Sequence, residues 1–167
     1  EEYGEERAQA IFESLLVRNK ASIRVTDLGR KEEIQALLEA SDSSLSLSGL
    51  VKEQGHFAGH DLFVEGAITI QDESSQLVAP TLNLQGDERV LDACAAPGGK
   101  TAHIASYLTS GKVMALDLYD HKLDLIQENA QRLGGADRVQ TQKLDARNVH
   151  EFFDRDSFAK ILVDAPC

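Results

Sequence analysis

Cysteine is scarce in this chain, and long apolar runs are absent from it. Only Cys94 and Cys167 occur among its 167 residues, and two cysteines so far apart do not make a disulfide framework. No apolar stretch approaches the roughly 20 residues that a membrane-spanning helix needs. The first ten residues are polar and acidic, unlike a secretory signal peptide. We therefore expect a cytoplasmic protein without a membrane partner.

Basic residues are also few, with 17 Lys and Arg against 28 Asp and Glu and a net charge of −11. This balance argues against a partner that is bound mainly through phosphates. One segment departs from the average, because residues 18–31 contain a single acid and five basic residues. These five are Arg18, Lys20, Arg24, Arg30 and Lys31. A solvated edge is the simpler interpretation of this segment, and a nucleic-acid contact is the alternative.

Residues 1–85 are predicted to form a small α+β subdomain. Apolar residues at helical spacing or in alternation mark its elements. The predicted helices cover residues 5–17 and 31–40, and the predicted strands cover 21–26, the second half of 41–50, 61–64 and 67–70. The two last strands would be joined at Glu65-Gly66. A further helix is predicted to begin at Asp72, which is a suitable capping residue.

Residues 86–167 have a different pattern, in which short apolar runs alternate with helical segments. The predicted strands cover 89–93, 112–118, 138–146 and 159–167, and the predicted helices cover 99–109, 120–133 and 148–154. Strands and helices that alternate at this interval predict an α/β domain with a parallel, doubly wound sheet. Its crossover connections are expected to be right-handed.

The loop after the first of these strands, "CAAPGGK" (94–100), is the candidate ligand site. Gly98 and Gly99 allow positive φ angles and close approach of a ligand to the backbone, although any tight strand-to-helix turn also favours glycine. The other three strands end in acids, namely Asp117, Asp145 and Asp164. Because the carboxyl ends of parallel strands meet at one edge of a sheet, these acids are expected to surround one polar ligand.

The loop matches neither common phosphate-binding pattern. Cys94 stands where a P-loop has its first glycine, and the Gly-x-Gly-x-x-Gly fingerprint is absent. Three carboxylates would repel a triphosphate, but they suit ribose hydroxyls, an adenine amine and a cationic sulfonium. Asp117 lies 18 positions after Gly99, close to the spacing expected of an acid that binds ribose. These features favour S-adenosylmethionine as the ligand.

Two motifs resemble a known family. "DACAAPGGKT" (92–101) and "DAPC" (164–167) resemble the Sun (Fmu) family of S-adenosylmethionine-dependent ribosomal RNA cytosine-5 methyltransferases. "SIRVTDLGRKEEI" and "GAITIQDESSQLVAP" are similar to its small RNA-binding subdomain, although "RVT" stands where the family commonly has Arg-Val-Asn. The resemblance implies the first four strands of a Rossmann-like methyltransferase sheet over 86–167, preceded by an RRM-like α+β subdomain over 1–85.

The resemblance also implies a role for individual residues and a partner, the small-subunit ribosomal RNA. The methionine end of the cofactor would be wrapped by the loop residues Cys94, Ala95, Ala96, Pro97, Gly98, Gly99 and Lys100. Asp117 would bind the ribose hydroxyls, and Asp145 the adenine amine. Asp164 would lie between the cofactor and the target base. Arg18, Lys20 and Arg24 are the candidate RNA contacts.

Methylation of cytosine at carbon 5 requires a thiolate that adds to carbon 6 and a base that removes the carbon 5 proton. By its position beyond Asp164, Cys167 is a candidate nucleophile. The resemblance instead implies that Cys167 assists product release, and that a cysteine in a Thr-Cys motif further along is the nucleophile. That motif and three of the family's seven strands do not occur here. We therefore expect an internal piece of a larger enzyme that does not methylate RNA alone, and whose unpaired fourth strand favours self-association.

Two other functions stay open at this point. One is a methyltransferase for a different substrate, and the other is a noncatalytic RNA-binding module that keeps the fold. The Pro-Cys ending favours the cytosine reaction, because methylation of an amine or an oxygen needs no cysteine there. No metal is expected, since no cysteine or carboxylate cluster completes a site with His56 and His60. Cys94 is expected to be an inert, small buried residue more than a catalytic one.

Overall fold

The computed structural model describes residues 4–16 and 20–165, which form two four-stranded sheets. The first sheet is antiparallel, with strand order β2-β3-β1-β4. Its unit comprises α1 (Glu5–Leu16), β1 (Ala21–Val25), α2 (Lys31–Leu38), β2 (Ser41–Asp42), β3 (Gly49–Lys52), α3 (Asp61–Val64), β4 (Ile68–Ile70), α4 (Glu73–Gln76) and α5 (Val78–Thr81). This arrangement confirms the predicted α+β character of the first half.

The central strand β1 is buried on both faces. Ile23 and Val25 pack with Ile34 and Leu38 of α2 in one apolar core. Side chains alternate between the faces of a strand, so Arg24 points to the opposite face, where it is also buried. A buried strand of this kind can therefore carry a charged residue.

Residues 61–64 form the helix α3, so the predicted strand and the hairpin at Glu65-Gly66 are wrong. His60 caps this helix, because its Nδ1 accepts a hydrogen bond from the backbone N–H of Leu62 at 3.2 Å. The apolar residues that suggested a strand include Leu62, which is buried in the core beneath the helix. One turn of helix and a short apolar strand bury the same few residues, and periodicity cannot separate them.

The Leu/Ser alternation of residues 43–48 forms a turn and no strand. The Ser43 hydroxyl oxygen accepts hydrogen bonds from the backbone N–H groups of Leu45 and Ser46, and Leu47 is 88% exposed. Serine side chains that bond the local backbone in this way compete with strand pairing. The strands lie on either side, as β2 and β3.

The helix predicted to begin at Asp72 is present as two short helices, α4 and α5. The capping role of Asp72 is confirmed, because its carboxylate accepts from the backbone N–H of Ser74 at 3.0 Å. Pro80 has no N–H group to donate to the carbonyl of Gln76, which accounts for the interruption.

The second sheet is parallel, with strand order β7-β6-β5-β8. Its elements are β5 (Arg89–Asp92), α6 (Gly99–Ser106), β6 (Lys112–Asp117), α7 (Asp120–Arg132), β7 (Val139–Lys143), α8 (Val149–Phe152) and β8 (Lys160–Leu162). The predicted alternation and parallel sheet are confirmed. Apolar cores lie on both faces, one with Val90 and Ile104 and the other with Leu91 and Leu116. The chain runs outward from β5 to β7 and then returns beside β5, so the strand order reverses between β5 and β8.

The two units are fastened together through the end of α7. The Arg132 guanidinium donates hydrogen bonds to the carbonyl oxygens of Phe63 and Ile68, at 2.9 and 3.2 Å. Gly66 has a φ of +79°, and a Cβ there would lie 1.8 Å from the Arg132 carbonyl oxygen. Only glycine permits this approach, which holds the amino end of β4 beside the second unit.

Two further expectations concern self-association through a sheet edge and helices that could span a membrane. β8 lies at an edge of its sheet, and Ile161 and Val163 are exposed there. Self-association through this edge stays a prediction. Across the described ranges 4–16 and 20–165, no helix combines the length and the apolar character needed to cross a bilayer.

Candidate functional site

The two glycines of the loop 94–100 have different surroundings. Gly98 precedes α6 with a φ of +100°, and a Cβ there would lie 2.9 Å from Cα of Ile126 in α7. Glycine is therefore required at position 98 because the turn is tight and packs against the neighbouring helix α7. A Cβ on Gly99 would meet no atom within 4 Å. The open side of Gly99 is thus the part of the loop that a ligand can approach.

A buried carboxylate that the sequence analysis missed fixes the loop at both ends. Asp92, at the end of β5, is only 1% exposed. Its Oδ2 accepts a hydrogen bond from the Thr101 hydroxyl at 2.7 Å, and its carboxylate also accepts from the backbone N–H of Cys94. Burial raises the pKa of Asp92, while these hydrogen bonds lower it. An acid placed directly before the loop in "DACAAPGGKT" was the available signal.

A cavity of about 680 Å³ opens at the carboxyl ends of β5, β6 and β7. This volume is within the range of small-molecule sites. Asp117 and Asp145 both line it, and so does Cys94. The sequence-predicted convergence of these residues at one edge of the sheet is therefore present.

Apolar side chains form much of the remaining wall of this cavity, among them Leu118, Leu144 and Ile161. Sequence reasoning did not single them out, although Leu118 directly follows Asp117. The Asp145 carboxylate pairs with Arg147, at 2.5 Å between Oδ2 and Nη2. Hydrogen bonds from the Arg147 side chain and backbone lower the pKa of Asp145 to about 2, so this carboxylate is ionised at neutral pH.

A second, smaller cavity of about 220 Å³ shares Cys94 with the larger one. The predicted loop residues Ala95, Ala96, Pro97, Gly99 and Lys100 line it together with Asp92 and Asp164. Lys100 Nζ is 2.7 Å from Asp164 Oδ2. The opposite wall comes from the first unit, between Ile70 and Ser75. Sequence reasoning missed that wall, because no local pattern brings residues 70–75 to the loop.

Cys94 lines both cavities and is partly buried. Burial raises the pKa of its thiol, and the carboxylates of Asp92, Asp117, Asp164 and Asp145 raise it further. A thiol is nucleophilic only as the thiolate. The surroundings of Cys94 therefore suit a small neutral wall residue better than a nucleophile.

Of the three candidate RNA contacts, the structure describes Arg24 and Lys20. Arg24 is 2% exposed and donates from Nε to Gln71 Oε1 at 2.7 Å. This burial argues against its predicted contact with RNA, because a phosphate cannot reach a guanidinium in the core. Lys20 is exposed and pairs with Glu53. Arg18 and Cys167 lie outside the described residues. Within those residues, no three His, Cys, Asp or Glu side chains form a metal-binding group.

Comparison with known proteins also relates the second unit to methyltransferases. A family model described as 16S rRNA methyltransferase RsmB/F matches residues 79–167. The chain is 42% identical to the probable ribosomal RNA small subunit methyltransferase B of Bacillus subtilis, over 99% of this chain and 38% of that protein. It is 41% identical to ribosomal RNA small subunit methyltransferase B of Pseudomonas syringae pv. tomato, over 78% of this chain and 29% of that protein.

Solved structures extend this comparison to both units. A methyltransferase homolog protein from Pyrococcus horikoshii has a TM-score of 0.83 and 28% identity, over 97% of this chain and 55% of that one. NSun6 from Pyrococcus horikoshii has a TM-score of 0.86 over 99% of this chain and 68% of that one. At 20% identity, this second likeness shows the fold alone.

The parallel sheet and its loop therefore define a Rossmann-like methyltransferase fold, as the sequence predicted. More particularly, the chain belongs to the 16S rRNA methyltransferase RsmB/F family, whose model matches more than half of its length. This confirms the resemblance drawn from the two motifs. The chain spans 38% and 29% of the lengths of the two relatives described above.

Proposed function

We propose that this chain is the cofactor-binding part of an enzyme that transfers a methyl group from S-adenosylmethionine to carbon 5 of cytosine in small-subunit ribosomal RNA. S-adenosylmethionine is the methyl donor of the family to which the chain belongs. The larger cavity, with its two acids and apolar walls, suits a nucleoside that carries no phosphate, and the loop at the open side of Gly99 is the proposed site of the methionine end. When bound, this cofactor supplies an electrophilic methyl group on a sulfonium.

The observation that carries the proposal is that Cys94 lines both cavities. Transfer requires the reacting atoms to lie about 3–3.5 Å apart in an aligned arrangement. Two cavities that share Cys94 in their walls are neighbours, so a donor in one and an acceptor in the other can approach each other. The larger cavity has the size of a cofactor site, and the smaller one contains Lys100 and Asp164 beside the position of an acceptor.

Each acid has a task that follows from its place. Asp117 is the candidate acceptor for the ribose hydroxyls, and Asp145 is the candidate acceptor for the adenine amine, with the apolar walls beside the ring. Ionised carboxylates make strong hydrogen bonds to such donors. Lys100 holds Asp164 in the smaller cavity, where its carboxylate can accept from the exocyclic amine of cytosine. The auxiliary role of Cys167 in product release stays part of the proposal.

Cofactor binding is tested by isothermal titration calorimetry with S-adenosylmethionine and with ATP. We expect S-adenosylmethionine to bind and ATP to fail. Asp117→Asn should weaken binding about 10- to 100-fold, because it replaces a charged group with two acceptor oxygens by a neutral amide whose nitrogen cannot accept. Asp87→Asn is the matched control, since Asp87 is exposed and precedes β5, at the opposite edge of the sheet. Binding of ATP in place of S-adenosylmethionine would overturn the assignment.

The reaction is tested by methyl transfer to in vitro transcribed 16S rRNA, with the enzyme at its natural length. Nucleoside analysis should then find 5-methylcytidine. Methylation of a different nucleoside, or of a protein, would favour the alternative of another substrate. Cofactor binding without any transfer would favour a noncatalytic RNA-binding module.

The expectation that the 167 residues alone do not methylate RNA is tested in the same assay with the purified chain. Analytical ultracentrifugation at high concentration tests self-association.

A further inference from the structure

The smaller cavity is built by both units, and its outer wall is the corner between β4 and α4. We propose that this corner, residues 70–75, contacts the RNA nucleotide that enters the cavity, with the Gln71 amide as a hydrogen-bond donor to the base. This inference rests on the proposed function, because it assigns the cavity to the nucleotide to be methylated. It gives the first unit a direct part in substrate recognition.

The orientation of the Gln71 amide is determined by its partner. The Arg24 guanidinium has only donors, so the atom 2.7 Å from Arg24 Nε must be the amide oxygen of Gln71. The amide NH₂ group is therefore the part of Gln71 left for a ligand. Its one neighbour given by the structure is the carbonyl oxygen of Ser75, at the long distance of 3.4 Å. The other N–H of this group has no hydrogen-bond partner among the residues that the structure describes.

The backbone of Gln71 is also held in place. Its N–H donates to the carbonyl oxygen of Ser22 at 3.3 Å, and its own carbonyl oxygen accepts from Gln76 Nε2 at 2.9 Å. Gln71 is itself buried, and it lines the cavity. A donor fixed in this way costs little conformational entropy on binding, as preorganised sites require.

Ile70 supplies the apolar part of the same wall. Its side chain is 53% exposed although it follows two buried residues of β4. A flat ring can rest on such a side chain while its edge meets the Gln71 amide. The adjacent Asp72 carboxylate caps α4 by accepting from the N–H and hydroxyl of Ser74, so it is occupied within the protein.

The size and charge of the cavity favour one base over a phosphate group. At about 220 Å³ it is smaller than most whole-ligand sites, which suits a single ring that extends from a longer strand. The contacts proposed here are the neutral amide of Gln71 and the alkyl side chain of Ile70. Contacts of that kind recognise the bases, whereas cationic side chains bind the phosphate backbone of the nucleic acid. The ligand class is a single-stranded RNA nucleotide with a ring carbonyl that accepts from Gln71.

Gln71→Glu is the sharpest test, because glutamate keeps an oxygen for Arg24 and removes the N–H donor. In methyl transfer to 16S rRNA by the enzyme at its natural length, we expect the KM for RNA to rise about tenfold or more. The Kd for S-adenosylmethionine should stay within about twofold. Gln127→Glu is the matched control, since Gln127 is exposed on α7, and it should leave both constants unchanged.

Ile70→Ala is a second test of the same wall. It avoids a substitution in the protein core, because the Ile70 side chain is exposed. We expect the KM for RNA to rise about threefold with an unchanged thermal unfolding midpoint. An unchanged KM in both Gln71→Glu and Ile70→Ala would overturn the inference. Failure of the proposed function has a different signature, since the wild-type enzyme itself would then bind no S-adenosylmethionine or methylate no 16S rRNA.

Discussion

Asp92 and Thr101 meet at 2.7 Å between Oδ2 and Oγ1, across the whole of the loop that separates β5 from α6. Both side chains are buried. One carboxylate thus joins the end of the strand to the first turn of the helix, and the residues between them are held in the shape that lines the two cavities. The stability of this loop and its ability to bind a ligand therefore depend on different residues.

Thr101→Val should lower the free energy of unfolding by about 1–3 kcal/mol, because it removes one of the hydrogen-bond donors to the buried Asp92 carboxylate and leaves the backbone N–H of Cys94. Urea denaturation followed by circular dichroism measures this change. Thr81→Val is the matched control, since Thr81 is exposed on α5 and surface changes are usually within about 0.5 kcal/mol. Equal effects of the two substitutions would contradict the role given to Asp92.

Gly98→Ala should destabilise the protein by about 1–3 kcal/mol, because alanine is strained at a φ of +100°. The added Cβ would also lie 2.9 Å from the backbone of Ile126. Gly59→Ala is the control, since a Cβ on Gly59 would meet nothing within 4 Å and its φ lies outside the left-handed region. Thermal unfolding of the two variants measures the difference, and a stable Gly98→Ala variant would show that α7 gives way.

Gly99→Ala should lower the affinity for S-adenosylmethionine and leave the stability of the protein nearly unchanged. Its stability should stay within about 0.5 kcal/mol of the wild type, because a Cβ there meets no protein atom. Its affinity for S-adenosylmethionine should fall about tenfold or more, because the methyl group occupies the side of the loop that faces a ligand. Calorimetric titration of Gly99→Ala checks this. Full affinity would mean that the cofactor does not approach the loop at Gly99.

The buried His103 should make the protein less stable in acid. Burial and, to a smaller extent, the nearby Arg24 charge lower the pKa of His103 to about 3, whereas an unfolded histidine has a pKa of about 6.5. Between these two values the unfolded chain binds a proton that the folded chain does not. The free energy of unfolding therefore falls as the pH decreases from about 6.5 toward 3, by up to about 1.4 kcal/mol per pH unit for this one group.

Urea denaturation of wild type and His103→Gln over this pH range tests the histidine contribution. The His103→Gln variant should have a smaller slope of stability against pH. The exposed His56→Gln variant should keep the wild-type slope, which serves as the control. Equal slopes in all three proteins would mean that His103 titrates alike in both states.

Several parts of the fold were predictable because their signals are local. The helix over 120–132 follows from a stripe of apolar residues that ends at two glycines, and the strands β5 and β6 follow from short apolar runs. The errors fell at residues 61–64 and 43–48, where side chains of His60 and Ser43 bond the nearby backbone. Such short-range hydrogen bonds outweigh the apolar pattern in segments of only four to six residues.

The sequence by itself determined that a glycine-containing loop and three acids would gather at one edge of a parallel sheet, because strands that alternate with helices form parallel sheets, whose carboxyl ends meet at one edge. Only the tertiary structure decided that these residues line two cavities that share Cys94. It also decided that Gly98 serves the packing of α7, and that Gln71 of the first unit closes the smaller cavity. The physical reason is that such contacts join residues far apart in the chain, and they depend on how Arg132 and Gly66 fix one unit against the other.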